Sequence, residues 1–309
     1  MPESVLSRSR TASSLRRTER WFTAARPWNV AFVAEAVLPG LAIARLTQPL
    51  VTWRAIVPAV TIAAWLVAAR YINEYEDFVR GVDDPERLKP ISAVAQGLPI
   101  RRVRTIGLIS LAVAAALGSL VTYQRNPWLI IGVLATLSVA YFYSGGPVPL
   151  SHYCLGEIME FCFQGVLPTA WVAYVNGAKV SGAVFVAGIA VGFASSTVLL
   201  VNNLRDISTD RAGGKVTVPQ LVSYRTVRVI FIASVCIPYL LFIVLSVLFG
   251  TWSWMWCWVT LPLALSVIRR FIKANDNWDD LMSVHVGLRQ WLLVLFLPFA
   301  LAIFVSHGW

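Results

Sequence analysis

The chain has 309 residues, of which 57% are hydrophobic and only 14% are charged, and its net charge is +10. Because a soluble domain normally carries about a quarter charged residues, this composition argues against a water-soluble enzyme. The basic residues lie mostly in short connections between apolar runs, without an aromatic-basic module, which argues against a nucleic-acid partner.

Apolar runs of about 20 residues recur along the chain, and this is the length that crosses the hydrocarbon core of a lipid bilayer. They are too long and too uniformly apolar for the strands of a membrane β-barrel. We therefore predict an all-α integral membrane bundle with a central cavity that faces the cytoplasm, formed by residues 26–309 as one domain. Its nine transmembrane helices are predicted at 27–46, 52–73, 104–124, 127–144, 154–175, 181–203, 227–249, 251–270 and 286–306.

The distribution of basic residues predicts the orientation of the bundle. Residues 1–25 form a Ser-, Thr- and Arg-rich segment that we interpret as a disordered or interfacial tail. Counting Arg26 and the basic residues at span ends with the connections they adjoin, this tail and the loops after the even-numbered spans carry twenty of the 26 Lys and Arg residues, whereas the opposite loops carry four. Because cytoplasmic loops are enriched in Lys and Arg, the N-terminus and the two large polar loops are predicted to be cytoplasmic.

The first large polar loop follows the second predicted span and begins with an acidic motif, from Asn73 to Asp83. Asn73 precedes Asp77 by four residues, a spacing that places both side chains on one face of a helix. Two basic residues, Arg87 and Lys89, follow the motif and are candidates to bind phosphate oxygens.

A second acidic motif follows the sixth predicted span. Asn202, Asp206 and Asp210 repeat the four-residue spacing, with Arg205 and Lys215 close by. Carboxylate and amide oxygens are the hard ligands that suit Mg²⁺. Acids clustered at a membrane boundary repel one another unless a cation lies between them. Together the two motifs predict a site for a metal-bound diphosphate whose apolar tail lies among the helices.

Other interpretations of these loops are possible. Solvated connections with helix-capping residues would explain a single motif, but two motifs at matching helix ends favour a ligand site. A transporter would place its polar residues near the middle of the membrane on broken helices. In a scaffold protein, replacing Asp77 or Asp206 with alanine would leave function intact.

The two motifs resemble those of the UbiA superfamily of intramembrane prenyltransferases, and most closely those of its bacterial 1,4-dihydroxy-2-naphthoate branch. That branch carries N-D-x-x-D-x(5)-D and N-N-x-R-D-x-x-x-D-x-x-x-G-K. Glu74 replaces the usual Asp of the first pattern. The positions that match are Asn73, Asp77 and Asp83 in the first, and Asn202, Asn203, Arg205, Asp206, Asp210, Gly214 and Lys215 in the second. Further matches are Arg26-Pro27, Lys89-Pro90-Ile91, Tyr143 to Pro147, and Leu155-Gly156-Glu157.

The resemblance implies an enzyme of a bacterial inner membrane that transfers a prenyl group, with Mg²⁺, from a polyprenyl diphosphate to an aromatic acceptor. The acceptor expected is 1,4-dihydroxy-2-naphthoate or a similar quinone precursor. An alternative is a relative in specialised metabolism that uses another acceptor or cyclises the diphosphate itself. The expected metal ligands are Asn73, Asp77, Asp83, Asn202, Asp206 and Asp210, and the expected substrate-binding residues are Asn73, Arg87, Lys89, Asn202, Asn203, Arg205 and Lys215.

Several other residues receive weaker assignments. Tyr143 is expected to steady an allylic cation or to bind the diphosphate, unless it is an aromatic residue of the membrane interface. Glu157 is expected to orient the acceptor or act as a base, unless it lies at the headgroup level, and Glu160 is a weaker candidate. Arg70 is expected to be a counter-charge to a motif Asp. Four alternating tryptophans predict an interfacial cluster: Trp252, Trp254, Trp256 and Trp258.

Overall fold

The computed structural model of the chain describes residue 21 and residues 30–80, 97–275 and 277–305. Within these residues the fold is helical, apart from one isolated parallel β-bridge between Tyr153 and Val216. The long helices are α1 (Val30–Thr47), α2 (Thr52–Val79), α3 (Ile100–Tyr123), α4 (Leu129–Phe142), α5 (Gly156–Val175), α6 (Gly182–Arg205), α7 (Tyr224–Phe249), α8 (Trp252–Lys273) and α9 (Trp278–Val305). Two short helices, Ile207–Ala212 and Val218–Leu221, lie between α6 and α7.

Seven of these helices are long and apolar enough to cross a bilayer: α2, α3, α5, α6, α7, α8 and α9. The chain is therefore an integral membrane protein, as its composition predicts. The remaining two, α1 and α4, coincide with the first and fourth predicted spans, and α4 has only 14 residues. The count of nine transmembrane helices stays a prediction.

Two helices, α2 and α9, extend six or more residues beyond the spans that hydropathy predicts. α2 continues past residue 73 to Val79, so the first acidic motif lies on the helix itself as far as that residue. α9 begins at Trp278, before the predicted start at residue 286. Hydropathy predicts only the apolar part of a helix, whereas the backbone hydrogen bonds of a helix can continue through polar residues outside the lipid.

The bundle has two main packing groups. Helices α1 and α5 to α9 contribute to one large apolar cluster, and α2, α3 and α4 pack together in another. The predicted position of the four alternating tryptophans at the membrane interface stays a prediction. Trp252 and Trp256 are exposed, but Trp254 is buried and stacks on Phe249 with ring centroids 5.5 Å apart. The first part of α8 is a 3-10 helix, whose tighter turn directs the four rings to different sides.

The backbones of α5 and α6 are in close contact where glycines face each other. A Cβ atom on Gly165 would lie 2.3 Å from the Cα of Gly192, and one on Gly192 would lie 2.8 Å from the carbonyl oxygen of Phe161. Small residues permit such contacts between membrane helices. The same part of α5, Phe161–Val166, is a π-helix. This widened turn is uncommon and recurs at functional sites, and here it lies beside the cavity described below.

We expect Gly165→Ala to destabilise the bundle by about 1–3 kcal/mol, because the added methyl group would overlap α6 and force the two helices apart. The matched control is Gly132→Ala on α4, where an added Cβ meets nothing within 4 Å. Thermal unfolding of the detergent-solubilised variants, followed by size-exclusion chromatography, measures the difference. Equal unfolding midpoints for the two variants would contradict the close approach of α5 and α6.

Candidate active site

The last two turns of α2 carry the first acidic motif. Asn73 Nδ2 donates hydrogen bonds to Asp77 Oδ2 at 3.1 Å and to Ser144 Oγ at 2.7 Å. The predicted shared face of Asn73 and Asp77 is therefore present, and Ser144 ties it to the connection after α4. Asp77 is 5% exposed, and its Oδ1 atom has no hydrogen-bond partner within the described residues. A buried carboxylate oxygen without a partner is costly unless a ligand or cation meets it.

Glu74 occupies the position where the resemblance leads one to expect an Asp. It is buried and forms an ion pair with Arg70, one turn earlier on α2. Arg70 is thus a counter-charge to an acid of the first motif, Glu74. The four-residue spacing explains the pair, since both side chains lie on one helix face.

The second acidic motif begins where α6 ends. α6 stops at Arg205, and a short helix, Ile207–Ala212, continues after a break at Asp206. The Arg205 guanidinium donates two hydrogen bonds to Asp206, from Nε to Oδ1 at 2.9 Å and from Nη2 to Oδ2 at 2.8 Å. This bidentate pair orients both groups at the break.

A tight turn after the short helix returns Lys215 to the motif. Gly214 has a φ of +73°, a left-handed conformation that glycine adopts without strain. The backbone amide of Lys215 then donates to the carbonyl of Asp210 at 2.8 Å, and the ammonium lies 3.9 Å from Asp210 Oδ1. Hydrogen bonds from Cys154 and Val216 join this turn to the connection before α5. That junction fixes where Lys215 lies relative to Tyr143.

The charge of Lys215 is set by the surrounding carboxylates. Burial by itself lowers the pKa of the Lys215 ammonium, but Asp77, Asp210 and Asp206 outweigh burial and hold its pKa above the ordinary value for lysine. An opposite charge nearby favours the ionised form. Acids from both motifs therefore act on one lysine, although the motifs are more than a hundred residues apart in the chain.

Both motifs line a single cavity of about 270 Å³. Its polar wall contains most of the site residues predicted from the sequence: Asn73, Asp77, Tyr143, Asn202, Asn203, Arg205, Asp206, Asp210 and Lys215. Its apolar wall includes Phe32, Trp65, Leu66, Met159 and Phe163. The cavity is thus lined by charged side chains and by apolar side chains.

Tyr143 and Glu157 occupy different places with respect to the cavity. Tyr143 lines it, and its hydroxyl group lies 3.2 Å from where a Cβ on Gly156 would be. Glu157 does not line it; its Oε1 atom accepts a hydrogen bond from Asn203 Nδ2 at 2.9 Å. Glu157 therefore holds a lining residue in place, and its expected role at the acceptor stays a prediction.

Three predicted site residues lie outside the described residues: Asp83, Arg87 and Lys89. The predicted tail, residues 1–25, also lies outside them except for Trp21, whose ring packs edge-on against Tyr71. Within the described ranges, no three His, Cys, Asp or Glu side chains group closely enough to hold a metal ion by themselves.

Sequence reasoning missed several residues of the site. Gln164 carries no charge and belongs to no motif, so nothing in the sequence distinguishes it. Ser144 lies within the matched segment Tyr143 to Pro147 but receives no role from that match. Glu35 is different, because an isolated acid inside an apolar span is by default a candidate functional residue. Glu160 was predicted only as a weak candidate, but it lines the cavity.

Comparisons with known proteins agree with this architecture. Residues 35–293 match the model of the UbiA prenyltransferase family. The 1,4-dihydroxy-2-naphthoate octaprenyltransferase of Mycobacterium leprae is 30% identical over 266 residues, which cover 86% of this chain and 89% of that protein.

Two solved structures have the same fold. A UbiA homolog from Aeropyrum pernix K1, in its apo form, aligns with a TM-score of 0.69 at 17% identity, covering 90% of this chain and 98% of that one. A UbiA homolog from Archaeoglobus fulgidus bound to GPP and Mg²⁺ aligns with a TM-score of 0.60 at 17% identity, covering 91% and 99%.

Proposed function

This chain belongs to the UbiA prenyltransferase family, and from that premise we propose that it transfers a prenyl group, with Mg²⁺, from a polyprenyl diphosphate to an aromatic acceptor. The proposed acceptor is 1,4-dihydroxy-2-naphthoate or a similar quinone precursor. The mycobacterial relative, named for that naphthoate, supports this choice.

The observation that carries the proposal is the convergence of both acidic motifs on one cavity with an apolar wall. A diphosphate is strongly anionic and its prenyl chain is nonpolar, so the donor substrate needs both kinds of surface side by side. The cavity supplies them, with Lys215 among the acids and with Phe32, Trp65 and Phe163 in its apolar lining.

The donor set fits magnesium. Asp77 presents a buried oxygen without a hydrogen-bond partner within the described residues, and Asp206 and Asp210 line the same cavity. Mg²⁺ is commonly held by one or two carboxylates together with substrate phosphates, which accords with the lack of a ready-made three-acid cluster in the described residues. The proposed ligands are Asp77, Asp206 and Asp210, supported by Asn73, Asn202 and Asp83. When bound, Mg²⁺ supplies charge stabilisation for the leaving diphosphate.

The protein's own residues have further roles in the proposed mechanism. Lys215 neutralises negative charge on the leaving diphosphate, with Arg87 and Lys89 as further proposed contacts. Arg205, oriented by Asp206, lines the same cavity and is a further proposed contact for the diphosphate. The apolar wall excludes water, which would otherwise capture an allylic cation. Tyr143 is proposed to face that cation or the diphosphate. Asn203 is a proposed substrate contact, and its hydrogen bond to Glu157 fixes the orientation of its side chain.

We also propose the orientation that the basic residues predict, with the N-terminus and the cavity mouth on the cytoplasmic side of a bacterial inner membrane. Arg205 and Lys215 lie at the same end of the bundle as the last turn of α2.

Product identification tests the function. Purified protein in liposomes, incubated with Mg²⁺, farnesyl diphosphate and 1,4-dihydroxy-2-naphthoate, is expected to form a farnesylated naphthalene that mass spectrometry detects. A cyclic terpene formed without acceptor would instead indicate a cyclase. Release of neither product, with donors of several chain lengths and several hydroxyarenes, would contradict the proposal.

Removal of divalent metal is expected to stop the reaction. We expect EDTA to lower turnover to the background rate, because Asp77, Asp206 and Asp210 then repel the diphosphate that the metal would join to them. Titrating Mg²⁺ back is expected to restore the original rate. An equal rate in EDTA and in Mg²⁺ would exclude the proposed role of the acids.

A further inference from the structure

A second polar cluster lies in the bundle interior and is formed by residues outside the two acidic motifs. It consists of Glu35 on α1, Glu160 and Gln164 on α5, and Ser195 on α6, and the name "interior cluster" refers to these four residues. Gln164 belongs to the π-helical turn of α5, and Glu160 directly precedes that turn. Glu160 and Gln164 both line the cavity, next to Phe32, Phe163 and Met159.

The contacts within the interior cluster are specific. Glu35 is completely buried, and its Oε1 atom lies in a 2.7 Å hydrogen bond with Ser195 Oγ. Gln164, which is 2% exposed, donates from Nε2 to the carbonyl of Phe32 at 2.8 Å. Phe32 is one turn before Glu35 on α1, so this bond fixes α5 against the helix that carries Glu35. Glu35 and Glu160 also interact electrostatically.

The interior cluster has unused hydrogen-bonding capacity. Glu35 Oε2 is buried without a hydrogen-bond partner, and within the described residues no ion pair neutralises Glu35 or Glu160. Ionisable groups inside a membrane bundle are expensive and usually functional. Glu160 lines the cavity, and within the described residues no hydrogen bond or ion pair engages its carboxyl group, which leaves that group for a ligand.

The chemistry of the cluster determines which substrate it suits. Carboxyl groups that are not paired with a cation repel a diphosphate, and a polar surface disfavours a prenyl chain. The same groups accept hydrogen bonds from hydroxyl groups, and the flanking phenylalanine rings of Phe32 and Phe163 offer faces against which a flat arene packs.

We propose that the interior cluster is the acceptor subsite. Glu160 and Gln164 bind the hydroxyl groups of a hydroxylated arene, and Glu35 and Ser195 position the side chains of Glu160 and Gln164. This inference rests on the proposed prenyl transfer and adds the place and chemical class of the second substrate. An acceptor that also carries a carboxylate turns that group away from the two glutamates. Glu35 is a positioning residue in this scheme, since it does not line the cavity.

A comparison of acceptors tests the subsite. The probes are 1,4-dihydroxy-2-naphthoate and its mono- and di-O-methyl ethers, each with farnesyl diphosphate. Glu160→Ala is expected to raise KM for the dihydroxy acceptor about tenfold or more, the effect of losing a hydrogen bond to a charged group. KM for farnesyl diphosphate is expected to stay within about twofold of the wild type, because Glu160 does not contact that substrate in this scheme.

If Glu160 binds the acceptor, its removal should reduce the preference of the enzyme for the dihydroxy acceptor over the methyl ethers. Wild-type enzyme is expected to prefer the dihydroxy acceptor to its ethers, and Glu160→Ala to reduce that preference, which a purely structural defect would not do. Ser195→Ala is expected to lower kcat/KM for the acceptor modestly, since the pair with Glu35 is lost. Its matched control is Ser196→Ala, whose hydroxyl group bonds only within α6, to the carbonyl of Phe193.

The possible outcomes separate the inference from the proposed function. A wild type that transfers prenyl groups, with Glu160→Ala unchanged in acceptor KM and preference, would overturn the subsite and leave the function standing. A wild type without transferase activity on any hydroxyarene would overturn the function. If Glu160→Ala does not yield folded protein, Gln164→Leu provides the same readout, and unchanged preference in that variant would again overturn the subsite.

Discussion

Asp77→Asn is expected to lower prenyl transfer by about a thousandfold, which is the loss expected when charge stabilisation worth several kcal/mol is removed. The substitution retains the size of the side chain and an oxygen that Asn73 can still contact. What it removes is the negative charge of a carboxylate whose Oδ1 atom is buried without a hydrogen-bond partner in the described residues. Turnover of farnesyl diphosphate in liposomes measures the effect.

Two further measurements make this result interpretable. Asp279→Asn changes an exposed acid at the start of α9, outside the cavity, and is expected to leave turnover unchanged. Binding of a non-hydrolysable farnesyl diphosphate analogue is expected to depend on Mg²⁺ in the wild type and much less in Asp77→Asn. Normal turnover and normal Mg²⁺ dependence in Asp77→Asn would show that this carboxylate is not a metal ligand.

Lys215→Met is expected to weaken binding of farnesyl diphosphate by about a hundredfold, because charge-assisted hydrogen bonds to phosphate are among the strongest in proteins. The side chain is 11% exposed and lies among acids of both motifs. Methionine retains most of its length and apolar stem but leaves Asp77, Asp206 and Asp210 without the ammonium. Equilibrium binding of the non-hydrolysable analogue in the presence of Mg²⁺ measures the change.

The stability of Lys215→Met gives an independent readout. Without Mg²⁺ the variant is expected to unfold at a lower temperature than the wild type, and Mg²⁺ is expected to stabilise it more than it stabilises the wild type. Lys179→Met, which changes an exposed lysine between α5 and α6, is the control for charge removal. A variant with wild-type affinity and wild-type stability would exclude Lys215 from the site.

The pH dependence follows from the direction of the pKa change. The folded-state pKa of Lys215 lies above its ordinary value, so its stabilising charge is fully present at neutral pH and is lost only as the pH rises through that raised pKa. The difference in stability between the wild type and Lys215→Met is therefore expected to be constant between about pH 6 and pH 9. If the stability difference between the two proteins decreased between these pH values, that result would contradict the assignment.

The sequence determines the helices and the elements of the charged site. Long apolar runs predict spanning helices because backbone groups in lipid must be satisfied within the segment, and the structure has helices where these runs lie. The four-residue spacing of Asn73 and Asp77 predicts one shared face, and their hydrogen bond confirms it. These features are local, so a short stretch of sequence is sufficient to predict them.

Only the tertiary structure places distant residues together. Lys215 meets Asp77 because the left-handed turn at Gly214 and the junction at Cys154 direct it there. Glu157 contacts Asn203 and not the cavity, which its position in a motif does not reveal. The interior cluster depends on the contact between α1, α5 and α6, which brings Glu35 to Ser195 across 160 residues. Hydropathy and spacing predict which segments are helical, but the rotation and packing of one helix against another depend on interhelical side-chain contacts that no single segment encodes.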